Sequence, residues 1–228
     1  MKLSLPRTFQ KFAIAAAFAG CLVAAASASA TIVYVLNPTG ANAPAGSTTL
    51  PYTQKGLTIT ATGYDNANGV GTPTQLFFKN AGEHEIGLGV TNTPDHELQA
   101  GSSSSNPFDF IQFDLTMPLN AGATSGMISV TSVQTGESFT LFGSNVAGTL
   151  GLQLGGTYGS STDNTFVPLP NFGSYKYYSV AAASGDVIPV ALSLEVPAVP
   201  EMSALLPIVA LLLVLGAVEI TRRRRFQA

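Results

Sequence analysis

The chain has 228 residues and a formal net charge of −3, with ten basic residues set against thirteen acidic ones. Seven of the basic residues lie in the first 11 or last 7 positions, so residues 31–201 carry three lysines, no arginine and twelve acids, a charge near −9. Such a surface excludes a nucleic-acid partner, and the single cysteine, Cys21, excludes a disulfide framework.

Lys2, Arg7 and Lys11 form a basic head, Phe12 to Ala26 an Ala-rich apolar core, and Ala28-Ser29-Ala30 a run of small residues. That order predicts a signal peptide over residues 1–30, cut by signal peptidase after Ala30. Loss of the segment removes Cys21 and leaves a cysteine-free chain.

The body lacks long helical periodicity and divides into short strands cut by Gly, Pro, Asn and Ser. Thr31 to Leu36 is a β-branched first strand, and 37–49 a loop. Leu57 to Thr62 alternates apolar and hydroxyl side chains, as a strand with one wet face does. Residues 64–74 are a turn or excursion, and 75–79 a short strand around Leu76, Phe77 and Phe78. In the strand 110–115, alternation puts Phe110, Gln112 and Asp114 on one face and Ile111, Phe113 and Leu115 on the other. Segments 127–133 and 138–142 bracket Gln134-Thr135-Gly136-Glu137 and predict a hairpin. A short strand over 150–154 and a broken stretch over 160–171 follow. Strands over 175–180 and 187–196, joined by residues 182–186, end the body. The fold expected is all-β, a β-sandwich or jelly-roll-like ectodomain over 31–196.

Residues 197–200 read as a stiff stalk. From Met202 to Ile220 the run is apolar except for Glu219, roughly 28 Å of helix and about one bilayer core. Arg222 to Arg225 follow and hold that end on the cytoplasmic side. The expectation is one C-terminal transmembrane helix at about 204–220, within a terminal segment 197–228. An exported protein, first an inner-membrane single-pass precursor with a cytoplasmic C-terminus, then at the cell surface or in the matrix, follows from it.

The acidic stretch offers the candidate chemistry. Glu83, His84, Glu85, Asp95, His96 and Glu97 cluster in sequence, with Asp109 and Asp114 beyond them. Calcium takes six to eight oxygen ligands, which carboxylates and loop carbonyls supply, and Glu85, Asp95, Glu97 and Asp114 are the ligands expected for it. Zinc through His84 and His96 lacks a supporting motif. A carboxylate pair for glycoside hydrolysis and a solvated acidic loop are the other readings. No nucleophile elbow, phosphate loop or cofactor motif is present, and Ser102 to Ser105 read as a flexible loop.

The tail resembles the PEP-CTERM sorting signal, in which a Pro-Glu-Pro motif precedes one transmembrane span and a basic end. The matching residues are Pro200, Glu201 and Met202, with Met where the family prefers Pro. The resemblance covers about 30 residues and implies processing by an exosortase-like protease near Pro200-Glu201. It implies a role in exopolysaccharide, biofilm or floc. The body is also similar to domains that precede this signal, through residues 79–89, Asp95-His96-Glu97-Leu98, 110–114 and Gly185-Asp186-Val187; that likeness implies a place and no reaction.

The function expected is therefore a non-enzymatic, exported surface or matrix protein. The alternative is a carbohydrate-binding module stacking sugars on Tyr64, Tyr158, Tyr175, Tyr177 or Tyr178, and a secreted glycoside hydrolase stands third.

Overall fold

The computed structural model describes residues 29–66, 71–82, 84–101, 107–197, 211–212 and 215–216. The strands are β1 (Ser29–Val35), β2 (Ala43–Pro44), β3 (Thr49–Gln54), β4 (Leu57–Asp65), β5 (Thr72–Thr74), β6 (Leu76–Asn80), β7 (Ile86–Val90) and β8 (Leu98–Gln99). After them come β9 (Asp109–Asp114), a short helix α1 (Thr116–Asn120), β10 (Ser125–Thr131), β11 (Ser138–Ser144), β12 (Leu152–Gly159), β13 (Thr165–Pro168), β14 (Tyr177–Ser184) and β15 (Asp186–Pro197). Residues Ser29–Pro197 form one compact unit.

Every strand pair is antiparallel. A large sheet runs β12-β11-β14-β9-β4-β3, with β5 added beside β4. A smaller one runs β1-β15-β10-β13, with β8 on β15, and β2-β6-β7 make a third. The period-2 pattern decides which side chains enter the core. On β9, Ile111 and Phe113 are fully buried in the main core. On β4, Ile59 and Ala61 do the same, while Thr58, Thr60 and Thr62 take the other face. Ile32 and Tyr34 of β1, Ile128 and Val130 of β10, and Leu192 and Leu194 of β15 enter the same core from the smaller sheet. Each fully buried Ile, Leu, Val or Phe among them contributes about 1.5–3 kcal/mol of transfer free energy. Phe110, on the opposite face of β9, joins Tyr64, Phe142 and Ala181 in a second apolar cluster.

The all-β sandwich-like expectation holds for the described domain, and four details differ from it. Residues 127–133 and 138–142 are not a hairpin. They are β10 and β11, which belong to different sheets, so the 132–137 connection crosses the sandwich. Its Gly136 does take a positive φ of 94°, but the same freedom serves a crossing as well as a hairpin. The final joint is shorter than residues 182–186: β14 runs to Ser184, β15 starts at Asp186, and Gly185 alone turns between sheets at φ 65°. β3 and β7 lie in stretches given no strand of their own, because Pro51 and the glycines at 87 and 89 mask their alternation, and the short β2, β5 and β13 lie in stretches read as loop, excursion and broken chain.

The C-terminal transmembrane helix is the fourth correction. Among the described residues no helix is long and apolar enough to cross a membrane. Of the expected span at about 204–220, only 211–212 and 215–216 are described, as short helical pieces with exposed side chains. An apolar run of bilayer length is a statement about composition, and the helix it requires is not among the described elements. Residues 1–28, Pro200, Glu201, Met202 and Arg222 to Arg225 lie outside the described residues. Ala30, the expected cleavage position, lies inside β1 and pairs with Val196 of β15.

Candidate metal centre

The loop between β7 and β8 is built to present two carboxylates. Thr93 Oγ1 donates to the Glu97 carbonyl at 2.8 Å, and the His96 amide donates to the Thr93 carbonyl at 3.3 Å. The Glu97 amide approaches Asp95 Oδ1 at 3.4 Å, a loose Asx-type closure. His96 takes a left-handed φ of 66° and stacks its ring on Phe77, with centroids 3.9 Å apart. A non-glycine residue in that region is uncommon, and here the ring stack and the flanking hydrogen bonds fix it.

Asp186 arrives from the other side of the sequence. The turn at Gly185 puts it at the head of β15, whose next residue, Val187, pairs with Leu98 of β8. One carboxylate oxygen each from Asp95, Glu97 and Asp186 lies within 4.8 Å of the others. Two oxygens bound to one calcium at 2.3–2.6 Å are at most about 5 Å apart, so the trio has the spacing of a shared ion. Glu97 is 2% exposed, and its Oε2 has no hydrogen-bond partner. The neighbouring Ser132 hydroxyl favours its charged form without closing a bond on that oxygen.

The electrostatics show how poorly these acids tolerate one another. Burial, then sharing of hydrogen bonds with Asp95 and Glu137, then the charges of Glu97 and Asp95 push the Asp186 carboxyl up to about 7. Burial likewise raises Glu97, opposed by Lys79. Glu137 comes from the β10–β11 crossing, where its Oε2 accepts the Gln134 amide at 2.7 Å. Burial raises Asp109 to about 8, against the Gln99 amide that donates to its Oδ1 at 2.9 Å; the charges of Asp65 and Asp95 add to the rise.

Of the four expected calcium ligands, the fold brings Asp95 and Glu97 together and adds Asp186. Glu85 sits next to the trio and outside it, with Oε2 3.2 Å from Lys79 Nζ. Asp114 is elsewhere. It pairs with Thr60 and Tyr177 in the large sheet, and its Oδ1 accepts the Thr116 amide at 2.8 Å at the start of α1. Alternation explains the error, since Asp114 occupies the outer face of β9. Glu83 lies outside the described residues. Asp186 is not among the ligands expected from sequence because it is some ninety residues from Asp95, and only the β8–β15 pairing joins them.

The histidines do not meet as zinc ligands. His84 Nδ1 contacts Asp163 Oδ2 at 2.9 Å, while His96 is committed to Phe77. The tyrosines proposed for sugar stacking are mostly packing residues. Tyr64 is buried and stacks on Phe110, and Tyr178 is buried with its hydroxyl donating to the Asn171 carbonyl at 2.9 Å. Tyr158 stacks on Phe139, and Tyr175 meets Tyr178 edge-on. Tyr177 borders a shallow groove with Thr60, Thr62, Gln112 and Asp114. Asp114 is the one carboxylate lining that groove and its neighbour beside α1, whereas glycoside hydrolysis uses a pair.

No protein-family model matches this chain, and no curated protein or solved structure matches it. The resemblance to PEP-CTERM proteins is therefore corrected: it rested on Pro200-Glu201-Met202, an apolar run, the Arg222 to Arg225 cluster and a likeness of the body, and no family match carries it. Exosortase sorting, the inner-membrane precursor and the matrix role were inferred from that tail and lose their basis with it.

Proposed function

We propose that the Ser29–Pro197 domain is a non-enzymatic, calcium-binding β-sandwich. The ion ties the β7–β8 loop to the β14–β15 turn. The observation that carries the reading is the convergence of Asp95, Glu97 and Asp186 to within 4.8 Å, with one buried Glu97 oxygen left without a partner. Three carboxylates, two from a loop and one from a strand end, suit calcium, which accepts variable geometry and bidentate ligands. Magnesium demands a near-ideal octahedron at 2.0–2.1 Å, which a loop and a strand end from two distant parts of the chain supply less readily. An ion here also offsets the burial and the neighbouring acids that together raise Asp186.

The test is calorimetric titration of the full chain with CaCl2, paired with melting curves in CaCl2 and in chelator. Binding to the folded form alone stabilises by about 2.7 kcal/mol at a free ion concentration 100-fold above Kd, a rise of several degrees in Tm for a domain of this size. No heat of binding together with identical melting curves in CaCl2 and chelator would remove the reading.

A further inference from the structure

Lys79 stands out among the three lysines of the domain. Lys55 and Lys176 are exposed, whereas Lys79, on β6, is 7% exposed. Its ammonium bridges two carboxylates: Oε1 of Glu97 and Oε2 of Glu85, the latter at 3.2 Å. Burial alone would favour the neutral amine, and the two glutamates outweigh it and hold the lysine charged. Glu97 thus has two different oxygens in two different roles. Oε1 is bonded to Lys79, Oε2 is buried without a hydrogen-bond partner, and the carboxylate as a whole belongs to the cluster with Asp95 and Asp186.

We propose that Lys79 is a tethered counter-ion that sets the affinity of the calcium site, an inference that rests on the cation reading above. Two carboxylates, those of Glu85 and Glu97, bond this one buried ammonium, and through Glu97 it adjoins the cluster that Asp95 and Asp186 complete. An arriving divalent ion shares Glu97 with Lys79. It meets both the repulsion of the ammonium and a carboxylate whose charge is already partly neutralised. The arrangement weakens binding. It also keeps the glutamate satisfied when the ion leaves, because a buried carboxylate stripped of all partners is strongly destabilising. The lysine therefore makes the ion exchangeable: both states fold, and the free ion concentration chooses between them.

The proposal predicts a gain on removing a positive charge. In calorimetric titration of the full chain with CaCl2, Lys79→Met and Lys79→Gln should bind roughly tenfold tighter than the wild type or better. Lys79→Arg, which keeps the charge, should stay within about threefold of wild type. So should Lys55→Met, which makes the same change in net charge at the exposed β3–β4 turn. The neutral Lys79 variants should also gain more Tm from CaCl2 over chelator than the wild type does.

Neutral variants that bind as the wild type does, or more weakly, overturn the role of Lys79 while leaving the calcium site standing. Tightening by Lys55→Met to the same degree overturns it too, because the effect would then be one of net charge. Failure of both neutral variants to fold in saturating CaCl2 overturns it as well, since the ion would be unable to replace the lysine. A wild type that ignores CaCl2 removes the cation reading itself, a result separate from all three.

Discussion

The carbonyl oxygen of His96 lies directly over Gly89, so that a β-carbon on residue 89 would stand 1.7 Å from it. This close approach lets the β7–β8 loop fold back onto its own strand, and it holds Asp95 and Glu97 on either side of His96. Gly89→Ala should force the loop away from β7, costing about 1–3 kcal/mol in overpacking and weakening calcium binding together with stability. Gly156→Ala is the control: it meets nothing within 4 Å and has no positive φ, so its Tm should match or slightly exceed wild type. Equal melting temperatures for Gly89→Ala and wild type would show that the loop has room to spare.

Gln112 pins a loop onto the outer face of the large sheet. Its Nε2 donates to the Thr149 carbonyl at 3.0 Å and to Ser179 Oγ at 3.3 Å, and its Oε1 accepts the Gly148 amide at 2.8 Å. Gln112→Ala removes all three bonds and strands two backbone groups, a loss of about 1–3 kcal/mol. Hydrogen exchange at Gly148 should quicken in the variant, while exchange in the core of β9 rises only by the global loss of stability. Unchanged protection at Gly148 would mean that the loop is held by other contacts.

The legible part of this fold was its alternation. Ile111, Phe113 and Leu115 enter the core as their spacing demands, and Phe110 and Gln112 take the opposite face. Strand partners were not legible, because a Gly-bearing connector such as 132–137 serves a hairpin or a crossing between sheets equally well. The same gap hid one of the three clustered carboxylates. Asp95 and Glu97 share a loop and were visible as neighbours, whereas Asp186 joins them only through β8 on β15. Asp114 was a false partner for the same reason, since closeness along the chain says nothing about which sheet face a side chain occupies.

Asp109 should make the domain lose stability as pH rises. Its folded pKa is raised to about 8, above an ordinary value of 3.8, so between those limits the folded state holds a proton that the unfolded state has released. The stabilisation is therefore complete below about pH 4 and is lost as pH climbs through 8, at up to about 1.4 kcal/mol per pH unit. Asp109→Asn keeps an oxygen for the Gln99 amide and cannot ionise. In chelator, its Tm should exceed wild type at pH 8 and converge with it toward pH 4. The raised Asp186 acts in the same direction in both proteins and cancels from the comparison. Parallel Tm curves for the two proteins across that range would exclude Asp109 as the source.

Substitution of individual carboxylates should separate the ligands from their neighbours in sequence. Asp95→Asn and Asp186→Asn each remove one charge from the trio while keeping size and, at position 95, an oxygen for the Glu97 amide. Each should weaken calcium binding roughly tenfold or more, because ligand charge count tunes such sites. Glu97→Gln is a poorer probe, since it also takes the charged partner from Lys79. Asp114→Asn should leave the affinity within about threefold of wild type, because it belongs to the large sheet and its oxygen serves the Thr116 amide at the start of α1. Calorimetric titration of the three Asn variants in parallel decides the assignment. Wild-type affinity in both Asp95→Asn and Asp186→Asn, or loss of binding in Asp114→Asn alone, would move the site to the outer face of the large sheet and away from the β8–β15 junction.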